Sequence, residues 1–209
     1  MKKLILIIFL YTGFLFGHAK IIPSEGKEYY KLDYIISDEY KIIEFFSFYC
    51  SYCYKFNSIY KINENIRNII SENDKIIKYH TNFFGPKSVD LSLIWAISTF
   101  FNVENKISDI LFQEVQNNKK ILNKEDILIV FNKLGISKKQ YEYAKNSFLV
   151  KCFIKKQEFF LKKLNIISVP TIVINGRYVI NNDKIYASSI EEYSNKYIEI
   201  IKYLLNKSI

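Results

Sequence analysis

Residues 44–53 read Glu44-Phe45-Phe46-Ser47-Phe48-Tyr49-Cys50-Ser51-Tyr52-Cys53. The apolar, aromatic run is typical of a buried strand, and apolar side chains then recur at helical spacing, at Phe56, Ile59, Tyr60, Ile66 and Ile70. The two cysteines therefore lie at a predicted strand-to-helix junction. There the unpaired N–H groups and the dipole of the helix favour the thiolate of Cys50, while Cys53 lies one turn further in, shielded from solvent. We interpret the pair as a site of dithiol redox chemistry.

The same cysteine pair could instead bind a metal or form a structural disulfide. A tetrahedral zinc site needs four ligands, and only Cys152 and His80 are available after the N-terminal segment, neither at metal-ligand spacing. We therefore expect no metal. Because no flavin or nucleotide motif is present either, we expect no cofactor besides the dithiol itself. The spacing alone leaves a structural disulfide open, and His80 is interpreted as a packed strand residue.

The charge of the chain argues against a nucleic-acid partner. The 209 residues carry a net charge of +9, yet Arg67 and Arg177 are the only arginines among 30 basic residues. The lysines are scattered along the chain, and arginine is the residue that usually recognises bases and phosphates. We therefore expect no nucleic-acid binding.

The N-terminus has the pattern of a secretory signal. Lys2 and Lys3 precede an apolar run at residues 4–16, which ends at the small-x-small site Gly17-His18-Ala19. The run is shorter than the roughly 20 residues of a membrane span, which favours a signal peptide at residues 1–19 over an uncleaved anchor. Cleavage after Ala19 would leave the mature protein in an oxidising, exported compartment, where disulfides persist.

The rest of the chain alternates strands and helices around a long helical region. Strands are predicted at residues 27–32, 41–48, 75–82, 168–174 and 177–180, and a type I′ turn at Asn175-Gly176 joins the last two. A helix at about residues 50–70 separates the second and third strands, which makes them a parallel pair. The sequence therefore predicts an α/β fold. Residues 20–85 and 166–209 form a domain with a central mixed sheet, and residues 86–165 form an inserted helical domain.

Three local signals mark helix ends. Gly135 is placed to end a helix in the left-handed conformation, and residues 137–140 and 188–191 each have the pattern of a capping box. The helix that opens at residue 137 is expected to carry Tyr141, Ala144, Phe148, Cys152 and Phe159 on one side. Cys152 is therefore expected to be a buried, inert thiol.

Two further pairs of residues lie near the cysteines in the predicted layout. Val169-Pro170 opens the first strand after the helical region. A loop proline is the plainer interpretation, and a cis peptide that leaves backbone groups free beside the sulfurs is the other. Glu44 and Lys78 lie on neighbouring strands. The apolar neighbours of Glu44 indicate burial with Lys78 as its partner, and two solvated charges are the alternative.

With the C-x-x-C, the later Val-Pro and a helical insert between them, the chain resembles the DsbA-type periplasmic thiol:disulfide oxidoreductases of the thioredoxin superfamily. The resemblance covers nearly all of the mature chain and includes Glu-Phe-Phe-Ser-Phe-x-Cys-x-x-Cys-Tyr-x-Phe at 44–56 and Lys-Tyr-His-x-Asn-Phe at 78–83. It implies a thioredoxin-like fold, in which Cys50 is the exposed, low-pKa attacking sulfur and Cys53 its buried partner.

The resemblance also implies roles for residues around the cysteines. Pro170 would be a cis-proline facing the sulfurs, Val169 would contribute to a peptide groove, and Glu44 and Lys78 would form a buried pair beneath the site. Between the cysteines the chain departs from the family pattern, since the best-known members have Pro-His where this chain has Ser51-Tyr52. A histidine can stabilise the Cys50 thiolate by its charge, whereas tyrosine offers only a neutral O–H, which predicts a weaker oxidant.

By resemblance, the chain is an exported, monomeric oxidase. It would donate its Cys50–Cys53 disulfide to reduced or unfolded exported proteins through a mixed disulfide at Cys50. A DsbB-like, quinone-linked membrane protein would reoxidise it. Two alternatives remain: a thiol reductase or isomerase, and a peptide-binding chaperone whose cysteines only staple a turn.

Overall fold

A computed structural model describes residues 22–120 and 122–207, so the predicted signal at 1–19 lies outside the described residues. The strands are β1 Tyr29–Lys31, β2 Ile42–Phe46, β3 Ile76–His80, β4 Thr171–Ile174 and β5 Tyr178–Ile180. The helices are α1 Ser51–Tyr54, α2 Ile62–Arg67, α3 Ser88–Phe100, α4 Glu104–Phe112, α5 Lys124–Lys133, α6 Lys138–Asn146, α7 Phe148–Lys163 and α8 Ile190–Leu205. Shorter π-helical segments occupy Lys55–Ile59 and Gln113–Asn117, and a 3-10 turn occupies Asn182–Lys184.

The sheet is mixed, with the strand order β1-β5-β4-β2-β3. β2 pairs in parallel with β3 and antiparallel with β4, while β5 pairs antiparallel with β4 and β1. The β4–β5 hairpin turns at Asn175 and Gly176, whose φ angles of 50° and 62° fit the predicted type I′ turn. A side chain at Gly176 would collide with the carbonyl of Ser37. The predicted α/β class with a central mixed sheet is confirmed.

Strand β2 is the centre of the sheet, and all five of its residues are buried. Ile43 and Phe45 pack on one face in a cluster that includes Phe160 of α7, whereas Ile42 packs on the other face against α2 and α8. Burial of each such side chain stabilises the fold by about 1.5–3 kcal/mol. This double cover holds β2 rigidly, and with it the two cysteines that follow its last residue, Phe46.

The helices between β3 and β4 share a core with the end of β2. Phe46, Phe48 and both cysteines belong to one buried cluster with side chains of α3, α4, α5 and α6. Trp95 of α3 packs edge-on against Phe46, with ring centroids 4.8 Å apart, and its Nε1 donates to the carbonyl oxygen of Lys78 at 2.7 Å. The helical region therefore forms one wall of the cysteine site. Its boundaries at residues 85 and 165 stay a prediction.

The single helix predicted for residues 50–70 is wrong. Helix α1 passes into the π-helical segment Lys55–Ile59, and the chain then adopts the left-handed conformation at Lys61, with φ 51°, before α2 begins. A pattern count assumes 3.6 residues per turn, so it does not register a π-helical insertion. The π-helical segment and the left-handed Lys61 together change which side chains face inward, so that Ile59 is exposed and Asn63 is buried.

The helix predicted to open at residue 137 also ends early. Helix α6 stops at Asn146, and the hydroxyl of Ser147 accepts the N–H of Val150 to begin α7. Phe148 and Phe159 are consequently 78% and 57% exposed. Cys152 between them is half-buried, so the prediction of a buried thiol on an apolar face is wrong.

The other helix-end signals are confirmed or shifted by one residue. Gly135 has a φ of +83° and follows Leu134, the C-cap of α5, and Ser137 and Gln140 form the predicted capping box. The second box was expected to begin at residue 188, but the N-cap of α8 is Ser189, whose hydroxyl accepts the N–H of Glu192. Among residues 22–120 and 122–207, none of the helices combines the length and apolar character that crossing a bilayer requires.

Candidate redox site

Cys50 is the N-cap of α1. Its backbone is extended, with φ −85° and ψ 115°, and its sulfur accepts a hydrogen bond from the N–H of Cys53 at 3.2 Å. This is the contact that a serine or aspartate oxygen makes at other helix starts. Both cysteines are free thiols, so the structure is that of the reduced dithiol. The predicted junction of strand, cysteine and helix is present.

The two sulfurs have opposite electrostatic environments. A hydrogen bond from the Cys53 thiol lowers the pKa of Cys50 to about 7 against the opposing effect of burial, and the N–H groups of Cys53 and Tyr52 add to the lowering. Burial raises the pKa of Cys53 well above its ordinary value, and the charges of Cys50 and Glu44 raise it further. When the dithiol loses a proton, the negative charge therefore resides on Cys50.

The Val169–Pro170 loop lies against the sulfur of Cys50. The peptide bond between these two residues is cis, and the carbonyl oxygen of Val169 accepts a hydrogen bond from the Cys50 sulfur at 3.2 Å. Cys50 is only 6% exposed and Cys53 2%, so Cys50 is less accessible than the resemblance implies. The sulfur of Cys50 is still the more accessible of the two, and it lies beside the backbone of Val169.

Glu44 and Lys78 form a buried ion pair beneath the cysteines. They are direct partners in the parallel register of β2 and β3, and Glu44 Oε2 lies 3.2 Å from Lys78 Nζ. Their side chains are 4% and 16% exposed, which excludes the alternative of two solvated charges. The ammonium group also lies 4.9 Å from the centre of the Phe46 ring. The ion pair places a carboxylate close enough to Cys53 to disfavour its thiolate.

Asn63 bridges the two charges of this pair, and the sequence does not predict it as a site residue. Its amide donates to Glu44 Oε2 at 2.6 Å and accepts from Lys78 Nζ at 2.9 Å. The opposite orientation would set oxygen against carboxylate, so the two charges determine the orientation of the amide. Asn63 is 8% exposed because the left-handed residue Lys61 turns it inward. The only sequence signal is a polar residue three positions before Ile66, on a stripe that is otherwise apolar.

His80 is fully buried and holds the backbone that leads to Cys50. Its Nε2 accepts the N–H of Phe48 at 3.1 Å, and its Nδ1 lies 2.9 Å from the hydroxyl of Ser92. That hydroxyl donates to the carbonyl of His80 at 3.1 Å, so Nδ1 carries the ring proton and donates to it. Burial lowers the pKa of His80 to about 3. The prediction of a packed strand residue is confirmed, and the hydrogen bond to Phe48 adds a positioning role.

Ser51 and Tyr52 form the exposed first turn of α1. Tyr52 is 60% exposed, and the ammonium group of Lys55 lies 5.2 Å from the centre of its ring. Its contribution to the Cys50 sulfur comes from the backbone N–H. Within residues 22–120 and 122–207, the histidine, cysteine, aspartate and glutamate side chains form no group of three that could hold a metal ion.

The chain is similar to a known protein family and to curated proteins. The family described as DSBA-like thioredoxin domain matches residues 41–189, which include both cysteines and the Val169–Pro170 loop. The thiol:disulfide interchange protein DsbA of Buchnera aphidicola subsp. Baizongia pistaciae is 42% identical over 207 residues, covering 98% of this chain and 97% of that protein. The DsbA of Pectobacterium carotovorum subsp. carotovorum is 36% identical over 184 residues, covering 88% of this chain and 89% of that protein.

Solved structures show the same thioredoxin-like fold. DsbA from Klebsiella pneumoniae superposes with a TM-score of 0.84 at 29% identity, over 90% of this chain and all of that chain. A cysteine-to-serine variant of Proteus mirabilis DsbA, solved with the non-covalently bound peptide PWATCDS, also has a TM-score of 0.84, at 35% identity over 90% of this chain and all of that chain.

We predict that His80 stays neutral in the folded protein from pH 8 down to about 4, because burial lowers its pKa to about 3. The unfolded imidazole takes up a proton near pH 6.5. Below that pH the unfolded chain therefore binds more protons than the folded one. The free energy of unfolding should fall by about 1.4 kcal/mol per pH unit from this residue alone. Proton NMR of the imidazole and urea unfolding of the oxidised protein at pH 7 and pH 5 measure the two effects.

His80→Gln is the control, because its side-chain oxygen can still accept the N–H of Phe48 but does not titrate in this range. The unfolding free energy of this variant should depend less steeply on pH. An imidazole resonance that titrates with a midpoint between 6 and 7 would contradict the assignment.

Proposed function

This chain belongs to the family of DSBA-like thioredoxin domains and is a thiol:disulfide oxidoreductase, and we propose that it acts as an oxidase. Its Cys50–Cys53 disulfide is donated to reduced or unfolded exported proteins. The observation that supports this best is the asymmetry of the two sulfurs, since the pKa of Cys50 is lowered to about 7 and that of Cys53 is raised. One sulfur is thereby suited to leave as a thiolate and the other to stay protonated.

The reaction proceeds in two thiol–disulfide exchanges. A substrate thiolate attacks Cys50, the more reachable sulfur, so that a substrate–Cys50 bond forms as the Cys50–Cys53 bond breaks. Cys53 leaves and takes up a proton, which its raised pKa favours. The second substrate thiolate then attacks the substrate sulfur of the mixed disulfide and expels Cys50 as a thiolate. Two electrons pass from the substrate dithiol to the enzyme, which ends in the reduced state.

The backbone of Val169 and Pro170 is the proposed contact surface for the substrate. An extended segment of an unfolded protein can pair with free backbone groups as an added strand. Because such pairing uses backbone hydrogen bonds, it selects extended substrates and depends little on their amino-acid sequence. Such pairing would hold the substrate next to Cys50, whose sulfur lies 3.2 Å from the Val169 carbonyl. The solved structure of Proteus mirabilis DsbA with a non-covalently bound peptide supports peptide binding by a protein of this fold.

The reduced enzyme must pass its two electrons on before it can act again. By resemblance, we propose that a DsbB-like, quinone-linked membrane protein accepts them. The site of action is the periplasm, reached after removal of residues 1–19, whose sequence has the pattern of a cleaved signal. We propose that the enzyme works there as a monomer.

One observation favours a thiol reductase as the second candidate. A pKa near 7 is also typical of the attacking cysteine of thioredoxin, a reductant. In a reductase the same two exchanges run in the opposite direction, from the Cys50–Cys53 dithiol to a substrate disulfide. We prefer the oxidase because the curated relatives are named DsbA, and DsbA is a strong oxidant.

Serine substitutions test which sulfur reacts. Cys50→Ser and Cys53→Ser should each abolish oxidation of a reduced two-cysteine peptide, because neither variant can form the internal disulfide. Cys53→Ser should also accumulate a mixed disulfide at Cys50 when mixed with a peptide disulfide, which mass spectrometry detects. Cys152→Ser is the matched control and should keep full activity, since Cys152 lies on α7 and takes no part in the proposed exchange. The mechanism would be contradicted if Cys50→Ser still oxidised the peptide, or if Cys50→Ser trapped a mixed disulfide at Cys53 while Cys53→Ser trapped none at Cys50.

Replacement of Tyr52 by histidine tests the residue between the cysteines. Tyr52→His should lower the pKa of Cys50 below its present value of about 7, because a charged imidazole near the sulfur stabilises the thiolate. Thiolate absorbance at 240 nm, followed against pH, measures the shift. Tyr143→His on α6, where Tyr143 is 72% exposed, is the control and should leave the titration unchanged. An unchanged or higher pKa in Tyr52→His would refute the interpretation.

A further inference from the structure

Asn182 holds the loop that faces Cys50, yet nothing in the sequence pattern marks it. It opens the 3-10 turn Asn182–Lys184, two residues after the end of β5. Its Nδ2 donates to the carbonyl oxygen of Pro170 at 2.6 Å, and its Oδ1 accepts from the hydroxyl of Tyr197 at 2.8 Å. A hydrogen-bonded chain thus runs from helix α8 to the loop.

The sheet explains why a side chain is needed at this point. Strand β4 pairs with β5 through Val173 opposite Val179 and Ile174 opposite Tyr178. The same antiparallel register, continued, brings Pro170 opposite Asn182. Strand β5 has ended by then and the backbone has turned into the 3-10 segment. The side-chain amide of Asn182 therefore supplies the donor that the Pro170 carbonyl would take from a longer strand.

The orientation of the Asn182 amide is determined by its two partners. A carbonyl oxygen only accepts, so Nδ2 must face Pro170 and Oδ1 must face the hydroxyl of Tyr197. Tyr197 is completely buried on α8, and its ring packs edge-on against Phe56 with centroids 4.9 Å apart. Because Tyr197 cannot move without disturbing the core, the amide it orients is rigid as well.

Pro170 depends on this contact more than another residue would. Proline has no N–H, so its carbonyl is the one polar backbone atom by which the residue can be anchored. The preceding carbonyl, of Val169, is engaged by the Cys50 sulfur at 3.2 Å. The two successive carbonyls of the loop therefore have separate partners, one at the reacting sulfur and one at Asn182.

We propose that Asn182, oriented by Tyr197, is a positioning residue that holds the Val169–Pro170 loop in place for substrate pairing beside Cys50. The inference rests on the proposed role of this loop as the substrate contact. A loop released from Asn182 would present its backbone to the substrate in several arrangements, and binding would weaken. The chemistry at Cys50 in the bound complex would be affected less.

Asn182→Asp tests the proposal with a side chain of the same shape. A carboxylate cannot donate to the Pro170 carbonyl and repels it, so KM for a two-cysteine peptide should rise about tenfold, the equivalent of about 1.4 kcal/mol. The kcat at saturating peptide should change less than about threefold. Tyr197→Phe, which removes only the orienting hydroxyl, should raise KM about threefold and keeps the test available if Asn182→Asp does not fold.

A second measurement separates positioning from a purely structural role. The Val169 carbonyl accepts the Cys50 thiol hydrogen, so a displaced loop should make that proton easier to lose. The titration of Cys50 absorbance at 240 nm should therefore move to lower pH in Tyr197→Phe, which loosens the loop and adds no charge near the sulfur. If Asn182 and Tyr197 only stabilised the fold, their substitution would lower the unfolding midpoint. KM and the Cys50 titration of the folded variants would then match the wild type.

Asn181→Ala is the matched control. Asn181 is the same residue type next to Asn182 and is also half-buried. Its backbone N–H donates to the carbonyl of Glu28, and its carbonyl accepts the N–H of Lys184, so both contacts survive truncation of the side chain. KM and the titration should match the wild type. Folded Asn182→Asp and Tyr197→Phe enzymes with a KM within twofold of the wild type would overturn the inference. If the wild type is a reductase, the same variants are compared by their KM for a peptide disulfide. The positioning role of Asn182 can therefore be tested even if the proposed oxidase function is wrong.

Discussion

The hydrogen bond from the Cys53 N–H to the Cys50 sulfur is the interaction on which the rest of the site depends. It exists because the chain leaves β2 and enters α1 with Cys50 as the N-cap, so that the sulfur takes the place of a capping oxygen. Packing on both faces of the sheet holds β2 in place. The hydrogen bond from the Phe48 N–H to the His80 imidazole fixes the backbone between β2 and α1. The reactivity of the dithiol thus follows from how rigidly a strand and a helix are joined.

The groups around the dithiol act on one sulfur or the other. Glu44, held by Lys78 and Asn63, lies beneath and disfavours the thiolate of Cys53, whereas the loop before β4 touches Cys50. In a buried site such charges and dipoles interact more strongly than they would in water. The pair is asymmetric because each sulfur has its own set of neighbours, and that asymmetry gives the exchange reaction its order of attack and release.

Much of this site could be predicted from the sequence, because the strand, the cysteines and the helix start are contiguous. The Glu44–Lys78 pair could also be predicted, since two neighbouring strands can be aligned from their sequence patterns. The role of Asn63 could not be predicted, because a π-helical segment and a left-handed residue change which side of the helix faces inward. The break at Ser147 was missed because apolar residues continue at helical spacing across it. The role of Asn182 could not be predicted from the sequence, because it depends on the register of β4 and β5 and on the residue at which β5 ends.

The central claim is that the environment of Cys50 makes the disulfide a donor, and the reduction potential of the Cys50–Cys53 pair tests it most directly. Equilibration of the purified protein with glutathione redox buffers, followed by quantification of the two thiols, measures this potential. We expect a value between about −270 mV, typical of thioredoxin, and about −120 mV, typical of DsbA, because Tyr52 provides no charge for the thiolate. A value of about −270 mV or lower would show that the dithiol is a reductant and would contradict the claim.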